Sequence, residues 1–352
     1  MLLLALAACG GNTEPETPTD NVKTSPEALT FTAEPQTIDI QVNAGEAFQA
    51  YCDAEWVKVE PSYSSAPTAT VKVTVTENMD FESRTAEFVV KAGQIRHKVP
   101  ITQAAATSPS IEIPAGYKFV WSDEFDSAGK PNASEWWYET GGGGWGNNEL
   151  QTYVSQAYAD EELAVISSGT LKIKAQKIAG KVYSIRMNTS KSWTYGWFEA
   201  KIKVTDVPGS WPAFWMMPKN FKAWPDDGEV DIMEYAISTQ GKNKSSSSIH
   251  CKSYNHSIGT GKTHVQSVSN AASEWHVYAV EWTADGFTFY IDGKAHHTFA
   301  NDGKNNYSTW PFYNPFYLKL NLAWGGNMGG KTDEDQLPAV YEIDYVRVFQ
   351  KK

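Results

Sequence analysis

Two successive β-sandwiches with no helical layer are what this 352-residue chain encodes. Three features lead there. Short segments of alternating apolar and polar residues recur about every ten residues between positions 27 and 104, the spacing of a small sandwich. Longer alternating segments follow between 112 and 350, and nothing there repeats with the 3.6-residue apolar period of a helix. Turn pairs such as Asp292-Gly293 separate strand-like runs. The expected fold is all-β: a small sandwich, then a larger antiparallel one in jelly-roll style. About 240 residues in the second unit suffice for a substantial core.

Taken in order, the first nine residues hold the apolar run Leu2–Ala8 ending at Cys9. This resembles the end of a bacterial lipoprotein signal, whose cysteine is cut and acylated. The resemblance implies a lipid on Cys9 and attachment to the outer membrane, at the cell surface or facing the periplasm. Residues 10–26 are polar and proline-rich, and read as a disordered tether. Residues 27–104 carry the short strands, among them Thr37–Val42, Thr70–Val75 and Glu87–Val90. Trp56 in Ala54-Glu55-Trp56-Val57, the stretch Asn78–Arg84 and the closing Ile101-Thr102-Gln103 make this block resemble the BACON domain. That implies an immunoglobulin-like sandwich acting as a spacer or glycan-binding module, with Trp56 in its core. Residues 105–111 are a linker, and 112–350 form the large domain.

Composition narrows the function. A net charge of −11 and a pI near 5.2 argue against nucleic-acid binding, and no basic run reverses this. Cys9, Cys52 and Cys251 give neither a disulfide framework nor a metal-binding spacing. No segment is long enough to span a bilayer as a helix. Thirteen of the 14 tryptophans follow residue 120, and flat indole faces suit the C–H faces of sugars.

The segment Gly228-Glu229-Val230-Asp231-Ile232-Met233-Glu234-Tyr235 places three carboxylates on one strand, where acidic residues are normally depleted. In a strand Glu229 and Asp231 share a face, and strict alternation would bring Met233 to that face next. One extra residue, a β-bulge, returns Glu234 to it. Paired carboxylates suit glycosidic bond cleavage, one as acid and one as nucleophile or base. With the glutamate Cα atoms about 13 Å apart, long side chains leaning inward can close to the roughly 5–5.5 Å carboxyl separation of a retaining enzyme. The plainer reading is an acidic edge strand facing solvent.

With Trp145-Gly146-Asn147-Asn148-Glu149-Leu150-Gln151, Trp211-Pro212-Ala213-Phe214-Trp215, Trp224-Pro225, Asn321-Leu322-Ala323-Trp324-Gly325-Gly326 and Ile343-Asp344-Tyr345-Val346-Arg347-Val348, the acidic segment makes residues 115–350 resemble glycoside hydrolase family 16. The resemblance implies a concanavalin-like jelly roll. It implies Glu229 as nucleophile, Glu234 as general acid/base and Asp231 as helper, in the bulged, laminarinase-like branch. It assigns substrate contacts to Asn147, Asn148, Arg186, Trp211, Trp215, Trp224 and His250. Trp215 serves equally as a core residue, Arg186 as a surface ion pair and His250 as a structural histidine. The family also implies a structural Ca²⁺ on Glu124, the Gly169 backbone and Asp344, and no cofactor for catalysis. The expected activity is endo cleavage of β-1,3-glucan (laminarin) or mixed-linkage β-glucan by double displacement, by a monomer. Cys251 stands where relatives that cut laminarin often carry tryptophan, and Tyr254-Asn255-His256-Ser257-Ile258-Gly259-Thr260 resembles members of which some cut host O-glycans at galactose, so an endo-β-galactosidase acting on mucin O-glycans is the alternative. A transglycosylase and a surface glycan-binding protein without activity are further alternatives.

Overall fold

The computed structural model describes residues 21–78, 83–105 and 111–352. The chain divides into two compact units, Met1–Glu112 and Ile113–Lys352.

In the first unit a four-stranded sheet and a five-stranded sheet enclose one apolar core. Alternation fixes the inner faces: Ile40 and Val42 come with Val71 and Val73 from one sheet, and Phe88 and Val90 with Val99 and Ile101 from the other. Trp56 packs partly buried against this core, and the Arg84 guanidinium lies 4.4 Å over its ring.

The second unit pairs a seven-stranded with a ten-stranded sheet. The seven-stranded sheet runs in the order Trp136–Tyr138, Arg186–Thr189, Phe316–Trp324, Ser210–Pro218, Glu229–Tyr235, Lys244–His250 and Lys262–Ser267. Its strands are buried on one face against the other sheet and open on the other face. In Phe316–Trp324, Leu318, Leu320, Leu322 and Trp324 enter the core; Tyr317, Lys319, Asn321 and Ala323 face outward. In Ser210–Pro218, Phe214 and Met216 point inward; Trp211, Ala213, Trp215 and Met217 face outward. Each fully buried leucine contributes about 1.5–3 kcal/mol, so this inner row fixes the register that displays the outer one.

Candidate active site

The acidic strand Glu229–Tyr235 lies between Ser210–Pro218 and Lys244–His250. Glu229 pairs with His250 and Asp231 with Ser248, but Glu234 pairs with Ser246. On the other side Trp215 faces Asp231 and Phe214 faces Met233. Both registers skip Ile232, which is the additional residue of a β-bulge. Val230, Ile232, Met233 and Tyr235 therefore all enter the core, while Glu229, Asp231 and Glu234 line one cleft. A bulge disturbs the ladder, and serine hydroxyls on the next strand respond. Ser247 Oγ donates to the Ile232 carbonyl (2.7 Å) and Ser245 Oγ to that of Glu234 (3.1 Å). Gly228, at φ +90°, leads into the strand; a Cβ there would meet the Phe312 ring at 2.7 Å.

Burial and mutual repulsion act on the three acids together. Burial, then the Asp231 charge, pushes Glu229 and Glu234 up to about 8, and burial does the same to Asp231. Opposing influences act on each of them. Glu234 accepts a hydrogen bond from Trp211 Nε1 at 3.1 Å. His250 Nε2 lies 3.2 Å from Asp231 Oδ2 and 4.0 Å from Glu229 Oε1. Arg186 exerts a further downward pull on Glu229.

The cleft encloses about 430 Å³. Asn147, Arg186, Trp211, Trp215 and Trp224 line it. Trp215 is largely buried and forms its floor, donating through Nε1 to Asn321 Oδ1 at 2.6 Å. Arg186 is no surface ion pair: its guanidinium sits between the Trp145 and Trp215 rings, 4.6 and 4.8 Å away, and Nε donates to Glu139 Oε2 at 2.6 Å. Two expected contacts are not among the lining residues. Asn148 points away and donates to Asn327 Oδ1 at 2.7 Å. His250, the register partner of Glu229, stands beside the acids, flanked by Trp224 and His256.

Three cleft groups escape sequence reasoning. Lys319, wholly buried, donates to Glu139 Oε2 and Asn188 Oδ1, each at 2.5 Å. Burial, then Arg186, brings Lys319 down to about 7, while Arg186 and Lys319 together outweigh burial and hold Glu139 below the usual carboxylate range. His256 edges the cleft next to Trp224, ring centres 5.0 Å apart. A lysine inside Leu-Lys-Leu was the one available signal; its partners lie 131 and 180 residues away.

A family profile described as glycosyl hydrolases family 16 matches residues 151–347, and one described as a putative binding domain, BACON, matches 46–104. The chain belongs to glycoside hydrolase family 16. A β-glucanase of Rhodothermus marinus is 39% identical over 251 residues, covering 66% of this chain and 85% of that protein. The laminarinase structure from the same organism superposes with a TM-score of 0.63 at 37% identity, covering 67% of this chain and 98% of that one. A keratan-sulfate endo-1,4-β-galactosidase of Sphingobacterium multivorum is 29% identical over 273 residues, 75% of this chain and 64% of that protein. This family 16 member is thus a glycoside hydrolase of a retaining family, built as a β-sandwich behind a BACON domain.

The calcium expectation does not fit. Glu124 is held by Arg347 through two hydrogen bonds of 3.0 and 2.8 Å, and Asp344 is paired with Lys201 at 2.7 Å. Gly169, at φ +70°, forms the turn between Ala164–Ser167 and Thr170–Ile178. An ion here would have to displace two cationic side chains from the carboxylates it needs. Cys9 lies outside the described residues.

Proposed function

We propose that this protein is an endo-β-1,3-glucanase that hydrolyses laminarin or mixed-linkage β-glucan with retention of configuration. The bulge at Ile232 carries the reading, because it turns three acids to one face of an aromatic cleft. Names of relatives add the substrate: β-glucanase and laminarinase.

In this reading ionised Glu229 attacks the anomeric carbon, and the bond to the leaving oxygen breaks. Glu234 gives that oxygen its proton. A covalent glycosyl-enzyme results. Glu234, now a base, takes a proton from water, which attacks the same carbon and releases Glu229. Burial, with repulsion within the trio added, keeps a proton on the cluster at neutral pH, as the acid role requires. His250 lowers both glutamates, and Arg186, which acts on Glu229 alone, favours the ionised Glu229 that the first step needs. Asp231, with His250 Nε2 3.2 Å from its Oδ2, lines the cleft with both glutamates. The chemistry calls on no cofactor.

Release of reducing sugar tests the proposal, with laminarin, barley glucan, keratan sulfate and mucin O-glycans as substrates. Laminarin or barley glucan should be cut in mid-chain, with the β anomer appearing first by proton NMR, and Glu229→Gln should abolish release. Cleavage of keratan sulfate or O-glycans alone would establish the galactosidase reading, which the Sphingobacterium relative favours. Products longer than the substrate would identify transglycosylation. Binding without cleavage would reduce the protein to a glycan receptor.

The Leu2–Ala8 run before Cys9 supports a lipid anchor in the outer membrane. Retention in the aqueous phase of a detergent partition, unchanged by Cys9→Ala, would refute anchoring.

A further inference from the structure

Three histidines meet at one edge of the catalytic sandwich, on the side of the serine strand opposite the acids. His264 belongs to Lys262–Ser267, the last strand of the seven-stranded sheet. His296 and His297 belong to Lys294–Ala300, the last strand of the ten-stranded sheet. Neighbours in a regular strand point to opposite faces. Here Phe289 pairs with His297 and Tyr290 with Ala295, so His296 is the extra residue of a second bulge. The bulge turns both rings toward His264, with ring centres 5.7 Å (His296) and 5.8 Å (His297) from it.

The hydrogen bonds fix where the lone pairs are. Ser247 Oγ gives its proton to the Ile232 carbonyl, so at 3.3 Å it accepts from His296 Nε2. That leaves His296 Nδ1 as a bare acceptor, buried and without a partner among the described residues. His297 Nε2 faces the Lys262 carbonyl at 3.3 Å, which only accepts, so its lone pair is on Nδ1 as well. Burial, then repulsion from His264 and His297, takes His296 down to about 4, and burial lowers His297. Neutral imidazole is the form that binds metals.

We propose that His264, His296 and His297 form a site for a divalent transition-metal ion, with Zn²⁺ the reference case, that clasps the edge strands of the two sheets together. Imidazole nitrogens suit ions of this class better than hard cations such as Ca²⁺. Around a tetrahedral zinc at about 2.0–2.1 Å from each nitrogen, ring centres stand roughly 5 Å apart, near the two spacings to His264. The nitrogens are not yet converged. Among the described residues only Glu229, Asp231 and His250 already have ligand atoms within 4.8 Å of one another. His264 is exposed, and turning its ring closes the histidine site around an ion. The ion would also brace the acidic strand from behind, because His296 reaches Ile232, the residue inserted between Asp231 and Glu234, through Ser247.

The test is isothermal titration of the tag-free full chain with ZnCl₂, alongside melting curves with and without the ion. Single-site binding in the micromolar range and a raised Tm are expected. His264→Ala and His297→Ala should each weaken binding at least tenfold, while Glu229→Gln leaves it intact. His264 is exposed, so its replacement leaves a folded protein, whose glucanase activity without added metal should be unchanged. Absence of saturable binding would overturn the proposal. So would binding that survives both histidine variants, or binding lost in Glu229→Gln, which would place the ion in the cleft.

Discussion

Replacing Asp231 with asparagine removes one ionisable carboxyl from the acid trio and preserves its shape. One Asp231 oxygen lies within 4.8 Å of one on Glu229. At that separation two unit charges repel by about 3.5 kcal/mol with an effective dielectric constant near 20. Divided by 1.36 kcal/mol per pH unit, this corresponds to about 2.5 pH units on the Glu229 ionisation. His250, 3.2 Å from Asp231, offsets part of the repulsion, so the expected displacement is between about 1 and about 2.5 pH units. The sign is fixed: without the neighbouring charge both glutamates release their protons at lower pH. Glu229 ionisation sets the acidic limb of kcat/KM against pH, and loss of the Glu234 proton sets the alkaline limb. Since protons leave the cluster in shared steps, both limbs should move to lower pH together. Initial rates on laminarin across the pH range, for Asp231→Asn and the parent, provide the assay. Limbs that stay in place, or move to higher pH, would refute the electrostatic account of this strand.

The same acids govern stability. A carboxyl raised to about 8 in the folded protein contributes stability that is present below its unfolded pKa and fades as pH rises toward 8. Glu229→Gln should therefore raise Tm at pH 8 more than at pH 4.5, measured by calorimetry. Glu139→Gln leaves Arg186 and Lys319 buried without their shared carboxylate and should cost about 3 kcal/mol in urea unfolding. Adding Lys319→Met to that variant should restore part of the loss, since only one uncompensated cation remains. Trp224→Ala, at a ring 37% exposed on the cleft rim, should raise KM on laminarin several-fold without lowering Tm.

What the sequence disclosed depended on how local the signal was. The acidic strand betrayed its bulge because a count of residues between Glu229 and Glu234 breaks a period of two, and that period is a property of one strand. Both sandwiches were visible for the same reason. Lys319 was not, since nothing in Leu318-Lys319-Leu320 announces Glu139 or Asn188 from other strands. Glu124 and Asp344 have the oxygens a calcium ion wants, but pairing across strands sets Arg347 and Lys201 against them. Asn148 sits in a turn at φ +57°, which directs its amide to Asn327 instead of the cleft, and one residue's backbone angle leaves little trace in composition. The histidine trio needed a second bulge, on a strand whose partner register no spacing rule supplies.

Ser245 and Ser247 have a bearing on how such an enzyme changes over generations. Their hydroxyls answer carbonyls beside the irregular step in the acidic strand, so the distance between two reacting groups is partly recorded in a strand that never meets the reactant. Drift in that serine run can therefore retune turnover while every residue in touch with the sugar stays the same. Variants with altered rates and an untouched binding surface are best sought there.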